Sequence, residues 1–137
     1  LYMSAYFDNN RDRYMDLLLR VSTDGAWEPW IEFCLRGVIE TAKDTQRRCD
    51  ALLSLHREFH DRLRKGVGSV RLAAIVDDLF VNPVAVVSRV ADRHRVTYPT
   101  ARADLKRLQR AAILRPLENA PQIAYYCPAI LEITYAD

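Results

Sequence analysis

The middle of the chain carries one long and regular apolar seam. Its members alternate steps of three and four residues without interruption: Ala42, Thr45, Cys49, Leu52, His56, Phe59 and Leu63. This spacing places every member on one face of an α-helix that packs along a partner helix. A turn at Ser22-Thr23-Asp24-Gly25 precedes it and no convincing stop occurs before Gly66. The sequence therefore predicts one helix of about 38 residues, roughly 57 Å long, which should bridge two modules or pair with a second copy of the chain.

Shorter elements are predicted on both sides of this long helix. In front of it, apolar residues at helical spacing predict a helix over residues 5–21. Gly37 is the position where the long helix would most readily break or bend. Behind it, the paired glycines of residues 65–69 predict a flexible joint.

The segment after the joint predicts three short helices and a hairpin. The helices are expected over Val70–Phe80, from Val84 to Arg93 behind the cap Asn82-Pro83, and from Thr97 to Ala111. The two strands are expected over Ile113–Leu117 and Gln122–Tyr126. This order is typical of a winged helix-turn-helix. We therefore expect a mainly α protein with helices over 1–64, a linker over 65–69 and a winged helix-turn-helix domain with a small β-hairpin over 70–137.

Positive charge is concentrated in the second half of the chain. Residues 1–69 contain eleven Lys and Arg against eleven Asp and Glu, whereas Val84 to Arg115 contain eight Lys and Arg against Asp92 and Asp104. A local excess of this kind suits a polyanionic partner, although it is also typical of a solvated helix face. The expected DNA-binding residues lie on the third short helix: Tyr98, Thr100, Arg102 and Lys106 toward base edges, and Arg107 and Arg110 toward phosphates.

The hairpin loop favours a different partner. Residues 117–122 contain Glu118 and no basic residue, whereas wings that bind DNA commonly place Lys or Arg on the backbone. A winged helix that contacts only protein therefore stays open as an alternative to DNA binding.

The remaining chemically active residue types predict no catalytic, cofactor or metal site. His56 and His60 stand four apart, but Arg57 occupies the position of the glutamate in HExxH and the sequence nearby offers no third ligand. Trp27, Trp30 and Phe33 are expected in the core. Cys34 and Cys49 lie on apolar seams where a thiol is inert. No glycine-rich phosphate loop is present.

The cysteine count and hydropathy bear on the compartment. Three cysteines, the third being Cys127, are odd in number and lack CxxC spacing, so they predict neither a disulfide framework nor a zinc ribbon. No signal peptide and no apolar stretch of membrane-spanning length is visible. We expect a cytoplasmic protein without a membrane partner.

The start of the chain resembles a known family. Leu1-Tyr2-Met3-Ser4-Ala5-Tyr6-Phe7, Asn10-Arg11, Tyr14, Val21, Gly25, Trp27 and Trp30-Ile31-Glu32-Phe33 are similar to the C-terminal helices of Fic-family proteins, just downstream of their active-site motif. A long helix followed by Tyr98-Pro99-Thr100-Ala101 is similar to the tail of Fic proteins that carry a winged helix. The resemblance covers nearly the whole chain.

This resemblance implies that the chain is the C-terminal part of a bacterial protein adenylyltransferase. Fic enzymes transfer AMP from ATP to protein hydroxyls through a His-Pro-Phe-x-Asp/Glu-Gly-Asn-Gly-Arg motif, which is absent between Leu1 and Asp137. ATP and Mg²⁺ are therefore expected only for a longer parent, and this chain is expected to be an inactive fragment that recognises DNA or a protein. The alternative is a free-standing winged-helix transcriptional regulator with an N-terminal helical dimerisation domain.

Overall fold

The computed structural model describes residues 3–66 and 69–135 and is mainly helical, with one small antiparallel sheet. This confirms the mainly α expectation. The described elements follow the order α1 (Met3–Asn9), α2 (Arg11–Asp24), α3 (Trp27–Lys65), α4 (Val70–Val81), β1 (Val84–Val86), α5 (Val87–Arg93), α6 (Tyr98–Arg110), β2 (Arg115–Pro116), β3 (Ala124–Tyr126) and α7 (Pro128–Tyr135). Among the described helices, none combines the length and apolar character that crossing a bilayer requires.

The chain forms two compact units, residues 1–49 and 50–137. Helix α3 contributes to both, since it continues as one helix through Gly37 to Lys65. The long helix is thus confirmed, and it is unbroken at Gly37, its weakest predicted point. Val67 and Gly68 of the predicted linker lie outside the described residues.

The first unit differs from the single helix expected over residues 5–21. The structure has two helices, which are interrupted at Asn10. The Asn10 side chain donates a hydrogen bond from Nδ2 to the Tyr6 carbonyl at 2.8 Å, and the same carbonyl accepts the Asn10 backbone amide. Asn10 also caps α2, since its own carbonyl accepts the Tyr14 amide at 2.9 Å. Helix α2 ends where Gly25 adopts a left-handed conformation (φ 65°), as a C-terminal glycine cap commonly does.

The aromatic residues of the first unit pack against one another. Ring centroids lie 5.1 Å apart for Tyr6 and Phe33, 5.1 Å for Phe7 and Tyr14, and 5.6 Å for Tyr14 and Trp30. Phe33, which is buried, lies at the centre of this cluster. The expectation that Phe33 is a core residue is confirmed, whereas Trp30 is half-buried against Tyr14 and Phe33.

Trp27 and part of the predicted seam are more exposed than expected. Trp27 is 59% exposed, so its assignment to the core was wrong. It lies at the first position of α3, before the turn that packs on α1 and α2. Ala42, Thr45 and Cys49 are also exposed. Phe59 and Leu63 join the core of the second unit, and Leu52 packs against it. The inert, seam-buried position expected for Cys49 is therefore not observed.

The second unit has one continuous core around α4, α5 and α6. Its fully buried side chains include Phe59, Ile75, Leu79, Leu105, Leu108 and Ile113. Strand β3 lies in the middle of the sheet, with β1 and β2 antiparallel on its two sides. Helix α7 was not predicted, although Pro128 at its start and the apolar residues that follow are typical of a helix N-terminus.

The region after Asn82 corrects the predicted helix from Val84 to Arg93. Val84–Val86 form a strand, with Val84 opposite Tyr126, and the helix begins only at Val87. The Asn82 side chain accepts a hydrogen bond from the Val84 amide at 3.0 Å and so closes a turn. Two β-branched valines then pair with a distant strand, and this long-range pairing overrides the local cap signal.

Candidate nucleic-acid interface

Helix α6 has one buried and one exposed face. Ala101, Leu105 and Leu108 are buried against the core, as the apolar stripe predicts. Thr97 precedes the helix, but its hydroxyl lies 2.8 Å from the Thr100 hydroxyl and caps no backbone amide. The opposite face remains in solvent and contains most of the residues expected to contact DNA.

The four predicted cations share this exposed face. At about 100° per residue, Lys106, Arg110 and Arg107 lie roughly 40°, 80° and 140° around the helix axis from Arg102. All four are exposed, and no ion pair joins any of them to another residue within 3–66 or 69–135. Tyr98 is 44% exposed at the start of the same helix, whereas Thr100 is half-buried. The face therefore carries four positive charges that the described part of the chain leaves uncompensated.

The acidic residue of this helix is removed from the exposed face. Asp104 is 2% exposed and forms two hydrogen bonds with Arg71 of α4, from Nε at 2.5 Å and from Nη2 at 3.2 Å. The Asp104 hydrogen bond and charge raise the pKa of the Arg71 guanidinium above its ordinary value. The pair with Arg71 was not predicted from the sequence, although the position of Asp104 one turn from Leu108 and next to Leu105 indicates a core-facing residue.

The turn between α5 and α6 is held by contacts to α4. Asp78 accepts one hydrogen bond from Nε2 of His94 at 2.9 Å and forms an ion pair with Arg93 at 2.6 Å. Arg95 adopts a left-handed conformation (φ 52°) in this turn and is exposed. The orientation of α6 relative to α4 and α5 is therefore fixed by polar contacts as well as by the apolar core.

The loop between β2 and β3 is exposed and carries little charge. Leu117 and Ile123 are each 42% exposed at its two ends, and Glu118 is its charged residue. The Ser88 hydroxyl of α5 donates to Gln122 Oε1 at 3.0 Å, which connects the loop to the helix pair. Arg115 on β2 is exposed and stands at the base of the loop.

A histidine cluster lies between α3 and α4. Nε2 of His56 and Nε2 of His60 are each 2.8 Å from Oδ1 of Asp77. The sequence near these histidines shows no third ligand, because Asp77 lies on α4 and contacts them only through the packing of α3 on α4. A spacing of 17 and 21 residues across two helices gives no local signal.

The sequence matches no protein-family model.

Proposed function

We propose that residues 70–137 form a winged helix-turn-helix module that binds duplex DNA through α6. One observation carries the proposal: four unpaired cations occupy the exposed face of α6, while its acid, Asp104, is buried and paired with Arg71. The element order supports the fold assignment, because a helix, a strand, two helices and a hairpin closing a three-stranded antiparallel sheet suit a winged helix.

In this arrangement α6 enters the major groove. Arg102 lies in the N-terminal half of the helix, where recognition helices contact base edges, and Lys106 lies one turn further along the same face. Arg107 and Arg110 extend the positive edge and suit phosphate oxygens, which fix orientation without reading sequence. Tyr98 and Thr100 lie at the start of the helix, where Tyr98 offers an exposed hydroxyl and ring.

The loop between β2 and β3 should make this binding weak. It contributes Glu118 and no basic residue, so it adds repulsion and no phosphate contact. Affinity would depend on α6, on Arg115 and on the exposed arginine in the preceding turn, Arg95.

A specific observation favours a protein partner as the second candidate. Leu117 and Ile123 expose apolar surface at both ends of the acidic loop. Such a surface suits a protein contact better than a phosphate backbone. The two candidates use different parts of the module, so substitutions in α6 and in the loop separate them.

We further propose that the chain is the C-terminal part of a Fic-family protein adenylyltransferase, in which this module recognises DNA or a protein. The aromatic residues that carry the resemblance support this proposal, because Tyr6, Phe7, Tyr14, Trp30 and Phe33 form one packed cluster. The alternative is a free-standing transcriptional regulator that pairs through the long helix. The coding sequence upstream of Leu1 distinguishes them, since it either contains the His-Pro-Phe motif or does not.

An electrophoretic mobility shift with duplex DNA at ~50 mM salt, where phosphate contacts are strongest, tests the DNA proposal. We expect the chain to retard duplex DNA and the Arg102→Ala, Lys106→Ala double variant to lose retardation. A Leu117→Ser, Ile123→Ser double variant serves as the matched control and should still bind. If the wild-type chain retards no duplex, the module is a protein-contact domain.

A further inference from the structure

We propose that His56, His60 and Asp77 form a binding site for a divalent transition-metal ion, with Zn²⁺ as the reference ion. Their ligand atoms all lie within 4.8 Å of one another, and the three residues come from two helices that pack together in the second unit. Nothing in the proposed DNA interface uses them.

Both histidine nitrogens already lie next to the same carboxylate oxygen. Nε2 of both histidines is 2.8 Å from the same oxygen, Oδ1 of Asp77. A tetrahedral ion with bonds of 2.0–2.2 Å separates its ligands by about 3.4 Å. The cluster therefore has to open by roughly 0.6 Å at each nitrogen-oxygen pair, which side-chain rotation of partly exposed residues can supply.

The helix geometry restricts the two imidazoles before any ion binds. His56 and His60 are four residues apart on α3, so they lie on one face, and their ring centroids are 4.4 Å apart. The ring of Phe80 contacts His56 edge-on, with centroids 5.0 Å apart. The shared face of α3 and the half-buried ring of Phe80 therefore restrict the two imidazoles, which reduces the conformational entropy lost on binding.

The charge and donor set favour a transition metal over Mg²⁺ or Ca²⁺. Two neutral imidazoles and one carboxylate give a net charge of about −1 with two nitrogen donors, which suit Zn²⁺, Ni²⁺ and Cu²⁺, whereas Mg²⁺ and Ca²⁺ prefer oxygen alone. In the bound form each imidazole ligates the ion through the lone pair of Nε2 and carries its proton on Nδ1. Three protein ligands leave a fourth position for water or an outside ligand.

The third histidine of the chain provides a natural contrast. His94 also contacts a carboxylate, at 2.9 Å from Asp78, but the same carboxylate pairs with Arg93. That site has one imidazole and a positive guanidinium in place of the second imidazole, so it should not hold a dication.

The test uses the tag-free 137-residue chain with ZnCl₂, CoCl₂ and MgCl₂ as probes. We expect calorimetry to give one Zn²⁺ per chain, saturating Zn²⁺ to raise the melting temperature by about 5 °C or more, and Mg²⁺ to do neither. Co²⁺ should develop visible absorption bands of low-symmetry, four-coordinate character.

Variants assign the ion to the cluster. His56→Gln, His60→Gln and Asp77→Asn should each weaken Zn²⁺ binding at least about tenfold, whereas His94→Gln and Cys49→Ser should bind as the wild type does. His56 and Asp77 are the more exposed members, so their variants remain informative if His60→Gln fails to fold. Absence of Zn²⁺ binding at about 1 mM, or binding unchanged in the His56 and Asp77 variants, would overturn the proposal.

Discussion

Arg71 of α4 binds Asp104 of α6 with two hydrogen bonds, at 2.5 Å and 3.2 Å, and so neutralises a nearly buried carboxylate beneath the basic face of α6. The pair is asymmetric, because the Arg71 side chain is 37% exposed and the Asp104 side chain only 3%. Water can therefore solvate Arg71 in the absence of its partner, but cannot reach Asp104.

This asymmetry predicts that Arg71→Ala destabilises the fold more than Asp104→Ala. Loss of Arg71 leaves an uncompensated buried charge and should lower the melting temperature by about 5 °C or more, whereas loss of Asp104 removes the charge that needs pairing. The double variant should recover part of the Arg71→Ala loss. Strictly additive losses in thermal melts of the four proteins would show that the two side chains are not coupled.

Two neighbouring leucines of α3 should differ in how much a charged substitution destabilises the chain. Leu52 packs against the core of the second unit, whereas Leu53 is 56% exposed. Leu52→Asp should cost about 2–4 kcal/mol in the free energy of unfolding, because it places an unpaired charge against apolar side chains. Leu53→Asp is the matched control and should cost less than about 0.5 kcal/mol.

Denaturant unfolding followed by circular dichroism measures both costs, and light scattering gives the molecular mass. Equal stability of the two variants would refute the packing of the seam on the core. A smaller mass for Leu52→Asp than for the wild type would indicate that this seam also pairs with a second copy.

Replacing Gly37 of the first unit by alanine should destabilise the chain, although alanine has the higher helix propensity. Gly→Ala inside a helix usually stabilises by about 0.5–1 kcal/mol. At Gly37, however, a new Cβ would lie 2.5 Å from Cδ1 of Tyr6 and 2.6 Å from Cε of Met3. We expect Gly37→Ala to destabilise the chain by about 1–3 kcal/mol, because the Tyr6 ring is packed against Phe33 and cannot easily move.

Gly66 provides the control for this substitution. A Cβ there would meet its nearest atom, the Arg62 carbonyl oxygen, at 3.7 Å, which is an ordinary contact. Gly66→Ala should therefore be neutral or slightly stabilising in the same denaturant titration. A stabilising Gly37→Ala would contradict the close packing of α1 on α3.

The cysteines should differ in their rate of alkylation. Cys49 is exposed, whereas Cys127 is buried and its pKa is raised by burial, so less of it is thiolate at neutral pH. We expect iodoacetamide to modify Cys49 at least about 100-fold faster than Cys127 in the native chain, and denaturant to remove the difference. Peptide mass spectrometry identifies the site, and rapid native labelling of Cys127 would contradict its place in the core.

Local patterns in the sequence account for much of the fold. The unbroken spacing of the seam predicts α3 as one helix, although its members Ala42, Thr45 and Cys49 are exposed. The apolar stripe of Ala101, Leu105 and Leu108 predicts the buried face of α6. The same periodicity leaves Arg102, Lys106, Arg107 and Arg110 on the opposite face.

Features that depend on distant partners could not be predicted in this way. Val84–Val86 form a strand because they pair with β3. Since β3 lies about 40 residues further along the chain, no local sequence pattern indicates that pairing. The contacts of Arg71 with Asp104 and of Asp77 with two histidines likewise join separate helices. Helix α7 was missed for another reason, since its N-terminal proline was a local signal that the hairpin prediction left unused.

The salt dependence of DNA affinity tests the central claim most directly. Fluorescence anisotropy of a labelled duplex, measured over a range of salt concentrations, gives the slope of log affinity against log salt. Each phosphate contact contributes about 0.9 to that slope, so Arg107→Ala, Arg110→Ala should make it shallower by about 1.8. Arg102→Ala should in addition reduce the difference in affinity between preferred and unrelated sequences.

The control is the Arg57→Ala, Lys65→Ala double variant, which removes two exposed cations from α3 and the same total charge. We predict a slope like that of the wild type for this control and a shallower slope only for the α6 variant. Equal slopes for the wild type and the α6 variant, or an equal loss in the control, would contradict DNA binding through α6.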